Sequence, residues 1–280
     1  MKSVDSKIYN KKYYLNACLG FEEYKKFKGR KVHPRILNFA NLVQVQKGIH
    51  ILDIGCGRGD LAIEFARRGA EVIGIDYSKD GIKIAQSALK NQKKSIHNSV
   101  SFFAMNAKKL TFNSNSFDIV TSFDVFEHLY KNELDIALQE IKRVLKPDGT
   151  LLVHTETNKI YLDFTHHFWS YPLDKLLIYI SRMLTGNYYP SLPKDPRNDF
   201  HKAQHVNEPT YFYLKSLFKT QRFLGKIYPI VPVKPFLSWK DLVYNIVVSL
   251  FPISSSFPLH LLFAHDFICI MKNEKDMKRS

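Results

Sequence analysis

The sequence predicts an α/β fold built on a doubly wound, parallel, Rossmann-like sheet. A short strand-like segment contains the apolar residues Ile51, Leu52 and Ile54, and three glycines follow closely at Gly55, Gly57 and Gly59. Glycines in such a turn let the backbone pass tightly beneath a ligand. A second strand-like segment ends at Asp76, one helix further along, and strands and helices go on alternating through the first half of the chain. This alternation is typical of crossover units in a parallel sheet.

The remaining elements follow in a regular order. A helix is expected from Leu61 to Gly69, and another after Ser78, which is a good N-cap. Leu134, Leu138, Ile141 and Leu145 recur at helical spacing and predict an amphipathic helix that ends before Pro147. In the insertion discussed below, a helix is expected over 172–184. The further predicted strands are 100–105, 117–123, 150–155, 226–231 and 267–271.

The glycine turn favours one nucleoside cofactor over another. A dinucleotide site needs G-x-G-x-x-G to hold a pyrophosphate, but here the third glycine comes one residue early and Asp60 follows it. Asp53, just before the turn, would repel a pyrophosphate, whereas S-adenosylmethionine (SAM) brings a sulfonium and an ammonium that carboxylates favour. Asp76 can accept hydrogen bonds from both ribose hydroxyls. The residues therefore favour SAM over NAD.

These motifs resemble those of the class I SAM-dependent methyltransferases. D-I-G-C-G-R-G followed by G-I-D-Y-S, then F-D-I-V and V-L-K-P-D-G-T, match that family over roughly residues 35–156. The resemblance implies a seven-stranded sheet with an inserted cap after strand five, and SAM as cofactor. It also implies a polar residue against the adenine. The cofactor-binding residues it suggests are Asp53, Gly55, Cys56, Gly57, Gly59, Asp76, Tyr77, Asn106, Ala107 and Phe123.

The chain is expected to form one methyltransferase domain over 1–280 with four parts. The resemblance suggests an N-terminal lid over 1–49, a SAM-binding core over 50–156, a substrate-covering insertion over 157–208 and the rest of the sheet over 209–275. In the lid, Arg35 and Tyr14 are candidates for the methionine end of SAM, since an arginine suits a carboxylate. Tyr13 is a candidate for substrate contact. Plain helix packing is the alternative for both tyrosines.

The segment after strand four carries the candidate chemistry. Asp124, Glu127 and His128 lie within one helical turn, where a general base over the ligand crevice would typically add about 10²–10⁴-fold to the rate. The segment resembles the E-x-x-E-H of ubiquinone-biosynthetic O-methyltransferases, in which two carboxylates and a histidine bind a divalent cation such as Mg²⁺. Asp124 replaces the first glutamate here. The alternative is that Glu127 and His128 merely cap and orient the loop.

Five of the eleven histidines fall between 154 and 205. No cysteine joins them and no pair sits at ligand spacing within a predicted helix, which argues against zinc. His205 opens H-V-N-E-P, which resembles a turn of the methyltransferase-11/23 type whose histidine reaches toward the active site. His205 and His167 are therefore candidates for substrate contact.

Composition limits the partners. The net charge is +15, and the excess lies in the flanks of a nearly neutral core. This fits attraction to an anionic substrate or membrane surface, and equally a lysine-rich solvated surface. The three cysteines form no C-x-x-C pair, no secretory signal is expected, and the longest apolar stretch, 242–263, is interrupted. A cytoplasmic protein is expected, with peripheral membrane contact left open.

An apolar stripe in the insertion has two interpretations. At helical spacing such a stripe is usually core, but its lysine and arginine neighbours would also suit a membrane or a lipid-linked substrate. We expect core. The stripe consists of Leu173, Leu176, Leu177, Ile180 and Leu184.

The sequence favours O-methylation of a small-molecule, sugar or lipid-linked acceptor. The alternatives are a nucleic-acid or protein methyltransferase and a SAM-binding scaffold without catalysis. No nucleic acid is expected, because F-D-V-F stands where nucleobase amino-methylating enzymes carry N/D-P-P-Y/F, and no separate RNA-binding module is evident.

Overall fold

A computed structural model describes residues 4–186, 190–197, 199–231, 258 and 260–274. Its strands form one seven-stranded sheet in the order β3-β2-β1-β4-β5-β7-β6, in which β7 runs antiparallel to β5 and β6 and the other pairs are parallel. The predicted α/β fold is thus confirmed. The strands are β1 His50–Ile54, β2 Glu71–Asp76, β3 Val100–Ala104, β4 Phe117–Phe123, β5 Leu145–Glu156, β6 Phe223–Ile230 and β7 Asp266–Asn273.

Helices cover both faces of the sheet. The α-helices are α1 Lys11–Asn16, α2 Phe21–Phe27, α3 Pro34–Ala40, α4 Asp60–Arg67, α5 Lys79–Lys90, α6 Lys131–Val144, α7 Tyr171–Thr185, α8 Asp199–Gln204, α9 Tyr211–Thr220 and α10 His260–Phe263. Short 3₁₀ turns lie at Ser6–Ile8, Lys94–Ile96 and Phe126–His128, and a π-helix spans Tyr161–Ser170. The helix predicted after Ser78 is α5, and the Ser78 hydroxyl accepts a hydrogen bond from Gly81 N.

Two apolar cores pack against the two faces. On one face, residues of α3, α4 and α5 such as Phe39, Phe65 and Ala85 are buried. On the other face, α6 and α9 bury residues such as Leu138 and Phe218. Because both faces are covered, β1 and β4 are buried along most of their length, as expected for central parallel strands.

Strand register brings the functional segments to one edge. Asp53 of β1 pairs with Gly74 of β2 and with Thr121 of β4, so these three strands end side by side. The loops after β1, β2 and β4 therefore meet at the carboxyl edge of the sheet, where ligands bind in doubly wound folds.

Strand five is longer than the sequence predicts. The strand begins at Leu145 rather than at 150, because Phe117 pairs with Leu145 before the register shifts. β6 also starts earlier than expected, at Phe223, and β3 ends one residue earlier, at Ala104.

The insertion contains the π-helix, α7 and α8. The helix predicted over 172–184 is α7. Its apolar stripe is only partly core: Leu177 is 5% exposed, but Leu176 is 54% and Leu184 75% exposed, so the expectation of a buried stripe is wrong at these two positions. Most of the apolar stretch at 242–263 lies outside the described residues. Among those that are described, no helix combines the length and apolar character needed to cross a bilayer.

Candidate active site

A cavity of about 400 Å³ opens at the carboxyl edge of β1, β2 and β4. Ten of the twelve residues predicted to bind cofactor line it, and the other two, Gly59 and Arg35, do not. The lining also includes Tyr13, Asp124 and His128, but not Glu127, His167 or His205. The ten are Tyr14, Asp53, Gly55, Cys56, Gly57, Asp76, Tyr77, Asn106, Ala107 and Phe123.

Asp76 has a buried carboxylate that is held in place by backbone amides. Its two oxygens accept from Gly57 N at 2.9 Å and from Ser78 N at 2.8 Å. The Tyr14 hydroxyl donates to the same carboxylate from 3.3 Å, so the predicted lid residue touches Asp76 directly. The long distance indicates a weak bond that ribose hydroxyls could replace.

Two glycines of the turn are required by close packing against neighbouring side chains. Gly59 has φ +79°, and a Cβ there would lie 2.6 Å from Cζ of Phe102. Gly55 has φ +71°, and a Cβ would lie 2.3 Å from Cγ2 of Val125, in the loop after β4. Gly59 therefore fits the turn against β3 and does not face the cavity.

Asp53 anchors the turn from the sheet. One of its oxygens accepts from Thr121 Oγ1 at 2.8 Å, and burial raises the pKa of Asp53 to about 7. The other oxygen, Oδ2, is buried with no hydrogen-bond partner among the described residues. A cationic ligand end nearby would stabilise the ionised form.

Glu127 and His128 lie together in the 3₁₀ turn after β4. The buried Glu127 carboxyl accepts from Thr155 Oγ1 at 2.8 Å, and burial raises its pKa well above the ordinary value. His128 Nδ1 lies 3.2 Å from the carbonyl oxygen of Gln204. Burial and the neighbouring His205 lower the pKa of His128 to about 3. His128 is therefore a neutral imidazole at neutral pH.

Asp124 pairs with His154 on β5, whereas the sequence grouped it with Glu127 and His128. It adopts φ +55°, in the left-handed region, and its Oδ1 lies 2.5 Å from Nδ1 of His154 on β5. Burial disfavours the imidazolium, but the Asp124 carboxylate outweighs this and raises the pKa of His154 to about 10. Asp124 thus pairs with a cationic histidine at the cavity wall.

Comparison with known proteins agrees with this geometry. Residues 52–153 match the family described as methyltransferase domain, which spans the glycine turn, Asp76 and the loop after β4. Residues 52–153 are thus a methyltransferase domain, in the fold of the SAM-dependent methyltransferases.

The relatives of this chain differ in their named substrates. The ubiquinone biosynthesis O-methyltransferase of Pelagibacter ubique is 33% identical over 41% of this chain and 46% of that protein. The sterol 4-C-methyltransferase strm-1 of Caenorhabditis elegans is 28% identical over 51% of this chain and 43% of that protein. The chain thus spans less than half the length of either relative. A SAM-dependent methyltransferase structure from Methanosarcina mazei is similar in fold, with a TM-score of 0.51 and 22% identity over 86% of this chain and 98% of that one.

Arg35 binds carboxylates of the protein itself. Its guanidinium forms an ion pair with Glu156 and donates to Asp266 at 2.7 Å, and it lies 3.1 Å from Nε2 of His154. The prediction that Arg35 binds the methionine carboxylate remains untested, but in this structure the residue lies outside the cavity lining.

Arg58 is a residue whose role the sequence analysis missed. Its buried guanidinium forms a 2.8 Å ion pair with Asp60 and donates to the carbonyl oxygens of Tyr14, at 2.6 Å, and Leu19. Arg58 lies within the glycine turn itself, so it ties the N-terminal helices to the cofactor loop. The sequence signal that could have indicated this role is the position of Arg58 between two glycines of the motif.

Two histidines of the insertion lie close together at the end of α8, a short helix that the sequence did not predict. His205 follows the helix, and its backbone N donates to the carbonyl oxygen of His201 at 2.7 Å. The His205 ring lies 4.9 Å from that of His128, whereas His167 Nδ1 instead lies 3.1 Å from the carbonyl oxygen of Leu162.

Proposed function

We propose that this domain transfers the methyl group of SAM to a hydroxyl oxygen of an apolar small molecule. The observation that carries the proposal is one cavity lined by both the Asp76 carboxylate, which suits a ribose, and the imidazole of His128. The first binds a nucleoside and the second can accept a proton. A SAM-binding scaffold would not need the second.

His128 is proposed as the base. The Gln204 carbonyl oxygen can only accept, so Nδ1 of His128 must donate the proton and Nε2 keeps the lone pair. Bound SAM would supply the methyl group, and Nε2 of His128 would accept the proton that the acceptor hydroxyl loses when it is methylated. Positioning supplies much of the rate of such a methyl transfer.

Carboxylates near the cavity favour the cationic cofactor. Asp124 lines the wall after β4 and Asp53 lies below the glycine turn, so both can stabilise the sulfonium or ammonium of SAM. The pairing of Asp124 with His154 makes Asp124 a less suitable base than His128, because its carboxylate is already bound to a cation.

The acceptor is proposed to be lipid-linked. The relatives named above act in ubiquinone biosynthesis and on a sterol, and both chemistries concern apolar molecules. Exposed Phe168 and Leu184 in the insertion would suit such a substrate or contact with a membrane surface. All three cysteines are free, which supports a cytoplasmic location.

Transfer of labelled methyl from SAM tests the proposal. The acceptors would be phenols and catechols with and without prenyl tails, with RNA and protein as comparison substrates. We expect label on the prenylated phenols, and His128→Asn should lower turnover by about 10²-fold or more while SAM affinity is kept. Label found on RNA or protein alone, or full turnover in His128→Asn, would contradict the proposal.

A further inference from the structure

Three potential metal ligands converge beside the cavity. Glu127, His128 and His205 each offer one ligand atom, and these atoms all lie within 4.8 Å of one another. Glu127 is buried and the two histidines are half-buried, so the cluster lies at the boundary between the core and the solvent. Two of these residues follow β4, and the third belongs to the insertion.

The cluster is oriented by neighbouring groups. The Gln204 carbonyl oxygen fixes the tautomer of His128, which leaves Nε2 as a ligand atom. Thr155 holds one oxygen of the Glu127 carboxyl. Asn207 N donates to the Glu127 carbonyl oxygen at 3.1 Å, so the loop that carries His205 is attached to the 3₁₀ turn that carries the other two.

We propose that Glu127, His128 and His205 form a site for a divalent transition-metal ion such as Zn²⁺. Two imidazoles and one carboxylate suit Zn²⁺, Co²⁺ or Fe²⁺, whereas Mg²⁺ prefers oxygen ligands alone. Asp124, which the sequence placed in the cation site, is not part of the cluster because its carboxylate pairs with His154. The third ligand is His205.

The site has a structural and a chemical consequence. Because His205 lies in the insertion and His128 follows β4, a bound ion would hold the substrate-covering segment against the core. The chemical consequence rests on the proposed function: an ion at His128 would bind an acceptor hydroxyl and make it more acidic. The same histidine would then act as a ligand rather than as the base.

Metal binding can be measured without any acceptor. The full chain would be stripped with EDTA and titrated with Zn²⁺ by calorimetry, and Co²⁺ would be added to record the visible absorption of a four-coordinate site. We expect one ion per chain, and at least about a tenfold loss of affinity in His205→Asn and in Glu127→Gln. His50→Asn, an exposed histidine at the opposite edge of the sheet, is the matched control and should bind as the wild type does.

The variants separate the two cation sites and the two proposals. Asp124→Asn should bind Zn²⁺ as tightly as the wild type does. If Asp124→Asn instead loses Zn²⁺ binding while His205→Asn retains it, the assignment is overturned in favour of the predicted Asp124 site. Absence of stoichiometric Zn²⁺ binding in the wild type would also overturn it. SAM titration of the same proteins distinguishes these outcomes from a failure of the proposed function, since His205→Asn should still bind SAM. Circular dichroism checks that each variant is folded.

Discussion

Replacement of Arg58 by methionine should destabilise the protein and loosen its N-terminal helices. The Arg58 side chain is 1% exposed and that of its partner Asp60 is 12% exposed, so the substitution leaves a buried carboxylate without its cation. Breaking a buried ion pair on one side typically costs about 3–5 kcal/mol. The carbonyl oxygens of Tyr14 and Leu19 would lose their donor as well.

Denaturant unfolding and limited proteolysis together measure the effect. Arg58→Met should lower the free energy of unfolding by about 3–5 kcal/mol and speed cleavage within residues 4–30. Arg30→Met, at an exposed arginine of the same segment, is the matched control and should change the stability by less than about 0.5 kcal/mol. The double variant Arg58→Met/Asp60→Leu should recover part of the loss. A cost below about 1 kcal/mol, with unchanged proteolysis, would refute the claim that Arg58 holds the N-terminal helices.

Two further substitutions test the packing of the site. Gly59→Ala should cost about 1–3 kcal/mol more than Gly186→Ala in urea unfolding, because both glycines have positive φ but only at Gly59 would a Cβ meet Phe102. Equal costs would show that backbone strain alone matters. His154 has a pKa raised to about 10 beside Asp124, so its contribution is present below about pH 6.5 and is lost as the pH rises through 10. Unfolding free energies from pH 6 to 10 should therefore fall more steeply for the wild type than for His154→Gln, and parallel curves would contradict the pairing.

The sequence predicts the core of this fold well because buried strands and helices leave a local pattern of apolar residues. β1 and β4 lie under helices on both faces, and each contains neighbouring buried apolar residues, Ile51 and Leu52 in β1 and Ile119 and Val120 in β4, that a short window detects. The position of Asp76 in the site also follows from the sequence, because Asp76 ends a predicted parallel strand. The carboxyl ends of parallel strands, and the loops that follow them, lie at the same edge of the sheet. Ten of the predicted cofactor residues accordingly line the cavity.

The interactions that tie distant segments together could not be predicted in this way. Arg35 pairs with Asp266, which lies 231 residues further along the chain, and Arg58 binds backbone carbonyl oxygens, which leave no signature in side-chain types. The Asp124–His154 pair joins the loop after β4 to β5, and the register of these two strands is set only in the folded sheet. Such contacts depend on tertiary geometry, so His205 could be grouped with Glu127 and His128 only after the structure was known.

Calorimetric titration with SAM tests the central claim most directly. We expect one SAM per chain and no heat from NAD, and Asp76→Ala should weaken SAM binding by about 5–150-fold, corresponding to about 1–3 kcal/mol of lost ribose hydrogen bonds. Asp118→Ala, at the opposite end of β4 where the carboxylate pairs with Lys146, should leave the affinity unchanged. If SAM does not bind, or if both variants bind it as tightly as the wild type, the cavity is not the cofactor site.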